Sequence, residues 1–158
     1  LLSLVGSEMC IRDRPSLDEY FLEMARLVAT RSTCVRRHVG CVLVDKRRRV
    51  LATGYNGVAR NVPHCIDVNC AGASSASGTD LDKCHAIHAE QNAIIQCSDV
   101  DKIETAYITT SPCVACTKLF LNTGCRRLVF IEEYTNTSAK DLWKGEWIHH
   151  GPVKFFKA

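Results

Sequence analysis

The most informative pattern in this chain is formed by two stretches, His88-Ala89-Glu90 and Pro112-Cys113-Val114-Ala115-Cys116. They supply one imidazole nitrogen and two thiolates, which are the three protein ligands of an open zinc site whose fourth position is left for water. The two cysteines are three residues apart, so their sulfurs face the same side of the first turn of a helix. The positive end of that helix favours thiolate over thiol. We therefore predict a catalytic zinc bound by His88, Cys113 and Cys116.

Glu90 lies two residues after the histidine, too close along the chain to be needed as a fourth ligand. A carboxylate beside the metal can act as a general acid and base, so we predict that Glu90 is the catalytic residue. A closed structural zinc site is the alternative, but it needs a fourth ligand and has no use for Glu90. The arrangement H-x-E followed by P-C-x-x-C is typical of zinc-dependent nucleobase deaminases.

Composition restricts the class of protein. The 158 residues are 46% apolar and 23% charged, which is ordinary for a single globular domain, here predicted over 15–158. No apolar run reaches the roughly 18 residues of a membrane span, and a net charge of +3 gives no strongly basic surface. We expect neither membrane nor nucleic acid as a partner. Ten cysteines in the company of six histidines favour metal binding and reduced thiols, hence a cytoplasmic protein.

Residues 1–14 stand apart from the rest of the chain. They do not form a convincing export signal, and the run LLSLVGSEMCIRDR is similar to a translated sequencing adapter. We predict that they are a non-native or disordered extension without a function.

Helical and strand patterns alternate along residues 15–158. Ser16 and Glu19 form a capping box, and helical spacing predicts a helix from there to about Ser32. Further helices are predicted over 88–96 and after Ser111, as N-cap, with Pro112 at the first helical position. Strands are predicted over 39–44, 50–55, 106–109, 128–131 and 153–156, and a long flap over 66–83. Strands separated by helices indicate an α/β layered sheet whose ligands gather where helices begin.

Several stretches outside the zinc ligands carry a further pattern. They are Arg31-Ser32-Thr33-Cys34, Val39-Gly40-Cys41-Val42-Leu43-Val44, Thr53-Gly54-Tyr55-Asn56-Gly57, Pro63-His64-Cys65, Gln91-Asn92-Ala93-Ile94 and Tyr107-Ile108-Thr109-Thr110-Ser111. With these stretches the chain resembles the cytidine/deoxycytidylate deaminase family from residue 15 to about 134, most closely its deoxycytidylate (dCMP) branch. The polar and Trp-containing stretch after Tyr134 departs from the family pattern.

The resemblance implies a three-layer fold with a five-stranded mixed sheet flanked by helices. It implies zinc-dependent hydrolytic deamination of dCMP to dUMP and ammonia, which supplies dUMP for thymidylate synthesis. It also implies a homo-oligomer, a hexamer or a dimer, and allosteric control by dCTP and dTTP as in some members of the family.

The same resemblance implies substrate contacts. Asn56 would contact the deoxyribose, although an Asn-Gly pair is equally typical of a tight turn. The backbone of Ala89 and of Ser111 would contact the base edge. Arg36 and Tyr134 are candidates near the phosphate, against the alternatives of a solvated arginine and a packed tyrosine.

Further cysteines match positions that hold a structural zinc in some dCMP deaminases. The predicted ligands are Cys34, Cys65, Cys70 and Cys84, which would pin the flap. The alternative is that they are small buried apolar residues. The other cysteines, Cys41, Cys97 and Cys125, fall on strand or helix patterns and are expected in the core.

Two other functions remain open at this point. One is deamination of another cytosine or adenine carrier, such as deoxycytidine, CMP or tRNA. The other is a non-catalytic zinc module that binds nucleic acid or a protein partner. Glu90 discriminates against that second class, because a structural site needs no acid–base group beside its metal.

Overall fold

The computed structural model describes residues 14–154 except 77, 136 and 137. The predicted N-terminal extension, apart from Arg14, therefore lies outside the described residues. Within the described part of the chain, no helix is both long and apolar enough to span a membrane.

Five strands form one mixed sheet in the order β2-β1-β3-β4-β5. The strands are β1 (Gly40–Asp45), β2 (Val50–Tyr55), β3 (Ile103–Thr110), β4 (Arg127–Glu132) and β5 (Glu146–His149). β1 pairs antiparallel with β2 and β3, whereas β3, β4 and β5 run parallel to one another. The helices are α1 (Leu17–Ala29), α2 (Ala89–Gln96), α3 (Val114–Leu121) and α4 (Ser138–Leu142).

Helices cover both faces of the sheet, because alternate residues of each strand point to opposite sides. On one face Val42 and Val129 pack against Phe21 and Leu22 of α1. The opposite face carries a second core, in which strand residues such as Leu43 meet the residues that α2, α3 and the end of α4 contribute, namely Ala89, Ala93, Phe120 and Trp143. The predicted three-layer fold with a five-stranded mixed sheet is confirmed.

Helix α1 begins as the sequence predicts. The Ser16 side chain accepts a hydrogen bond from the Glu19 N–H, and the Glu19 carboxylate accepts one from the Ser16 N–H. The predicted end near Ser32 is wrong, since the helix ends at Ala29. Ser32 instead turns inward, and its hydroxyl donates to the Asn56 carbonyl at 2.9 Å.

The C-terminal part of the sheet differs from the prediction. The fifth strand is Glu146–His149 and not 153–156, of which 155 and 156 lie outside the described residues. β5 pairs parallel with β4, and the Trp147 ring packs edge-on against Phe130 at 5.3 Å between ring centres. Val153 is buried in the other core without belonging to a strand. The stretch that departs from the family pattern thus still supplies a helix and an edge strand.

A glycine brings helix α2 unusually close to the sheet. A Cβ atom added to Gly54 of β2 would lie 2.3 Å from the Ala89 carbonyl oxygen and 2.3 Å from the Ala93 nitrogen. Both atoms are helix backbone and cannot move aside like a flexible side chain. The absence of a side chain at Gly54 therefore sets how deeply the start of α2 sits on the strand.

Candidate active site

The site forms where helices α2 and α3 begin. His88 is the N-cap residue of α2, so it stands at the helix start with extended backbone angles. The Gln91 side chain accepts a hydrogen bond from the His88 N–H at 2.9 Å, which fixes the entry of the chain into the helix. Glu90 follows in the first turn, as the sequence predicts.

Helix α3 brings both cysteines to the same place. Cys113 is its N-cap, and Cys116 lies in the first turn and is fully buried. The prediction that Ser111 is the N-cap and Pro112 the first helical residue is wrong by two positions. The Ser111 hydroxyl oxygen instead accepts a hydrogen bond from the Tyr134 N–H at 2.7 Å, and so ties the end of β3 to the segment after β4.

His88, Cys113 and Cys116 form the group of possible metal ligands that the described residues contain, with their ligand atoms all within 4.8 Å of one another. The His88 Nδ1 atom lies 3.5 Å from the Cys113 sulfur and 3.4 Å from the Cys116 sulfur. Tetrahedral zinc with its usual Zn–N and Zn–S bonds would separate such atoms by about 3.6 Å. The donor types and their spacing therefore fit zinc bound through Nδ1.

The thiols of Cys113 and Cys116 differ in pKa. The hydrogen bond from Cys116, helped by His88, lowers the pKa of Cys113 to about 4. That shared hydrogen bond, together with burial, raises the pKa of Cys116 and makes it the protonated partner. Cys113 is thus the more acidic thiol of the pair, and a divalent ion bound by both sulfurs would require Cys116 to lose its proton as well.

Glu90 is a buried carboxylic acid whose pKa lies near neutrality. Its side chain is buried, with 4% of the residue exposed, and burial raises its pKa to about 7. At that value the group is neither permanently charged nor permanently protonated at neutral pH, which suits a residue that both takes and gives a proton.

One cleft contains Glu90, two of the three possible metal ligands and all five predicted substrate-binding residues. It is lined by Cys34, Arg36, Arg37, Val39, Asn56, Gly78, Leu81, Cys84, Ala86, His88, Ala89, Glu90, Thr110, Ser111, Cys113 and Tyr134. The predicted flap contributes Gly78 and Leu81 and so forms one side of the cleft. A ligand in this cleft would contact Glu90 and the metal group at once.

Asn56 lies in this cleft rather than in a tight turn. The next residue, Gly57, pairs with Ile87 through two backbone hydrogen bonds of 3.1 and 2.8 Å. The Asn56 side chain accepts from the Val39 N–H at 2.8 Å and donates to the Arg37 carbonyl at 2.7 Å. The amide oxygen and the amide NH₂ group of Asn56 therefore each keep one further hydrogen-bonding position for a ligand.

The remaining predicted substrate contacts are constrained by their existing partners. The Ser111 N–H donates to the Glu132 carbonyl at 2.8 Å, so a contact from this backbone would use the Ser111 carbonyl. The Arg36 guanidinium donates to the carbonyls of Ala76 and Thr79, and so holds the flap. Ala89 lines the cleft at the start of α2 and is fully buried.

The model of the family described as cytidine and deoxycytidylate deaminase zinc-binding region matches residues 15–132. The chain belongs to this family. The resemblance predicted from the sequence is confirmed, and the family together with the His88, Cys113 and Cys116 geometry establishes a zinc site.

Several relatives carry the name deoxycytidylate deaminase. The protein of Schizosaccharomyces pombe is 42% identical over 131 residues, covering 80% of this chain and 40% of that protein. The protein of Mycobacterium phage D29 is 41% identical over 127 residues, covering 76% of this chain and 98% of that one. The chain thus spans about two fifths of the fungal relative but nearly the whole phage relative.

A solved structure of this family has a similar fold. The crystal structure of dCMP deaminase from the cyanophage S-TIM5 in complex with dCMP and dUMP is 27% identical, with a TM-score of 0.66. The match covers 82% of this chain and 90% of that chain.

A second cluster of cysteines lies at the base of the flap. The Cys65 and Cys70 sulfurs are 3.4 Å apart. The His85 N–H, and then Cys65 and Cys84, donate hydrogen bonds that lower the pKa of Cys70 despite burial, whereas burial raises the pKa of Cys84. In the described part of the chain these thiols do not reach the mutual spacing of the His88 group.

The cysteines predicted in the core behave as expected, since Cys41 and Cys125 are buried and Cys97 is half-buried.

One charged residue of the cleft was not predicted from the sequence. Arg37 stands beside Arg36 in the chain, and its guanidinium lies over the Tyr134 ring at 5.6 Å from the ring centre. Nothing in the local sequence separates the two arginines. Only their positions relative to the flap and to Tyr134 distinguish them.

Proposed function

We propose that this chain catalyses the zinc-dependent hydrolytic deamination of dCMP to dUMP and ammonia, supplying dUMP for thymidylate synthesis. The observation that carries the proposal is a buried Glu90 beside the His88, Cys113 and Cys116 group in one cleft. The relatives that are named deoxycytidylate deaminase support the choice of substrate.

A zinc ion held by these three ligands would supply an activated water molecule at neutral pH. Glu90 would take one proton from the attacking water as the water oxygen bonds to the amino-bearing carbon, and would deliver that proton to the adjacent ring nitrogen. It would then carry the remaining proton of that oxygen to the amine as the carbon–nitrogen bond breaks, so that the amine leaves as ammonia. Water and cytosine thus become uracil and ammonia, and the carboxylate returns to its starting state. The pKa of about 7 allows both directions of this transfer.

The cleft suggests how the chain holds the nucleotide. Asn56 would bind the deoxyribose through the unused positions of its amide, and Ala89 and the Ser111 carbonyl would meet the polar edge of the base. Tyr134 and Arg36 would border the phosphate end, with Arg36 acting through the flap that it holds. The burial of Glu90 and Ser111 keeps bulk water from the reacting edge.

The experiment that tests this function measures ammonia release by the zinc-loaded chain with dCMP, deoxycytidine and CMP side by side. We expect turnover of dCMP at a higher kcat/KM than that of either other compound. Preference for deoxycytidine, CMP or a tRNA adenosine would move the reaction to another carrier. Bound zinc without ammonia from any of these substrates would refute the proposal in favour of a non-catalytic binding module.

We also propose a second, structural zinc bound by Cys34, Cys65, Cys70 and Cys84. The short distance between Cys65 and Cys70 and the thiolate-favouring surroundings of Cys70 support it. Metal analysis of the freshly purified chain should then find two zinc ions per chain, and Cys70→Ser should lower the content to one. A content of one zinc in the unaltered chain would contradict this site.

We further propose that residues 15–158 act as a single domain in the cytoplasm and assemble as a hexamer or a dimer. The nine described cysteines are all free thiols, which suits a reducing compartment. Control by dCTP and dTTP belongs to the same proposal. Light scattering with and without these nucleotides tests the assembly, and their effect on dCMP turnover tests the regulation.

A further inference from the structure

The thiols of Cys65 and Cys70 lie side by side at the base of the flap. Their sulfurs are 3.4 Å apart, whereas a disulfide bond is about 2.05 Å long, so a shift of about 1.4 Å brings the sulfurs to bonding distance. The chain between the two residues is a compact turn, in which the His64 carbonyl accepts hydrogen bonds from the N–H groups of Asp67 and Val68 at 3.0 and 2.9 Å. This short turn keeps the two sulfurs together.

The two thiols differ in their access to solvent. Cys70 is half-buried, whereas only 2% of Cys65 is exposed. An oxidant that arrives from solvent therefore meets the Cys70 sulfur first, with the Cys65 sulfur next to it. An accessible thiol beside a second thiol is the arrangement of cysteines that are oxidised reversibly.

The pair is connected to the wall of the substrate cleft. The Cys70 carbonyl accepts a hydrogen bond from the Ala73 N–H of the flap at 2.9 Å. Cys84, which hydrogen-bonds to Cys70, lines the cleft itself. A covalent change at Cys65 and Cys70 therefore acts on the segments that form one side of the cleft.

We infer that Cys65 and Cys70 form a reversible disulfide when the chain meets a peroxide, so that the base of the flap has a reduced and an oxidised state. The proposed structural zinc would use the same two sulfurs as thiolates, and a sulfur in a disulfide cannot serve as such a ligand. The disulfide and that zinc therefore exclude each other. The inference goes beyond the deamination and does not depend on it.

Hydrogen peroxide is the oxidant for this step. The Cys70 sulfur attacks one peroxide oxygen, the O–O bond breaks, and the released hydroxide takes the thiol proton to form water, which leaves a sulfenic acid on Cys70. The Cys65 sulfur then attacks the Cys70 sulfur, the S–O bond breaks, and the second hydroxide leaves as water with the Cys65 proton. Two thiols thus lose two electrons and two protons, and one peroxide becomes two water molecules.

The test treats the reduced full chain, with zinc in its catalytic site, with a small excess of hydrogen peroxide and then blocks the remaining thiols by alkylation. Before alkylation the intact chain should be lighter by about 2 Da, the mass of two hydrogens. Peptide mass spectrometry should find Cys65 joined to Cys70, and dithiothreitol should restore both thiols. Zinc held by these sulfurs should be released at the same time, which a chromogenic chelator records.

Cys97→Ser is the control for access. Cys97 is also half-buried, but its sulfur lies 3.4 Å from the Asp99 carbonyl instead of from another sulfur. This variant should form the disulfide in the same yield as the unaltered chain. In Cys65→Ser the sulfenic acid on Cys70 loses its partner, so dimedone should label Cys70 more strongly than in the unaltered chain.

Two results would overturn the inference. One is a disulfide between Cys70 and Cys84 in the unaltered chain, because Cys84 also borders Cys70. The other is unchanged thiols at Cys65 and Cys70 under conditions in which peroxide oxidises Cys97. None of these measurements uses a nucleotide, so a chain that releases no ammonia from dCMP should still form the disulfide. A chain without the disulfide would in turn leave the proposed reaction in place.

Discussion

Replacing Glu90 by glutamine should lower the turnover of dCMP by at least ~100-fold while zinc stays bound. Glutamine has nearly the same shape but can neither accept the proton of the water nor return one to the base. The three zinc ligands are untouched, so metal content should equal that of the unaltered chain. Steady-state kinetics on protein of measured zinc content gives both quantities from the same preparation.

Asp101→Asn provides the comparison for this variant. Asp101 is exposed and lies next to the start of β3, whereas the cleft lies at the other end of that strand. The same change from acid to amide should there leave turnover within about twofold. Normal activity in Glu90→Gln would exclude the carboxylate from the proton transfers, and a loss of zinc in that variant would make Glu90 a ligand.

Replacing Cys113 by serine should remove the catalytic zinc and with it nearly all turnover. A hydroxyl is a much poorer zinc ligand than a thiolate, and the Cys113 sulfur is one of the three possible ligand atoms that lie within 4.8 Å of one another. Loss of an indirect partner already lowers metal affinity 10- to 100-fold, so loss of a direct ligand should lower it by at least ~100-fold. Competition with a chromogenic chelator measures this affinity.

Cys97→Ser tests whether the effect belongs to the site rather than to any lost thiol. Cys97 follows α2 and is half-buried, with its sulfur 3.4 Å from the Asp99 carbonyl. This variant should keep its zinc and its activity. If Cys113→Ser removes one zinc and leaves another, the structural site is independent of the catalytic one. Full zinc content and normal turnover in Cys113→Ser would contradict the assignment of Cys113 as a ligand.

Much of the site was predictable because its chemistry is local in sequence. His88 and Glu90 share one helical turn, and Cys113 and Cys116 share another, so residue type and spacing suffice to place each pair. Helix starts at the ends of strands then bring the two pairs together. The capping box at Ser16 was predictable for the same reason.

The errors arose where distant residues decide the structure. Ser111-Pro112 matches the local pattern of a helix start, but the Ser111 hydroxyl is taken by the N–H of Tyr134, 23 residues further along. β5 forms a strand because it pairs with the edge of β4 and because the Trp147 ring packs against Phe130. Neither contact leaves a trace in the neighbouring sequence.

Arg37 shows the same limit within the site. Two adjacent arginines look alike in sequence, and the flap decides which of them keeps a free donor. Asn56 was equally ambiguous, because an Asn-Gly pair can close a turn or follow a strand. Only the pairing of Gly57 with Ile87 removes the turn from consideration.

The glycine beneath helix α2 affects how a mutational scan of this chain should be interpreted. Gly54 contributes no reacting atom, yet any side chain there must push against the backbone of the helix that carries His88 and Glu90. A displacement of about 1 Å at a reacting group can cost 100-fold in rate. A screen that records only loss of activity would therefore rank Gly54 beside the zinc ligands and assign chemistry to a residue that acts as a spacer.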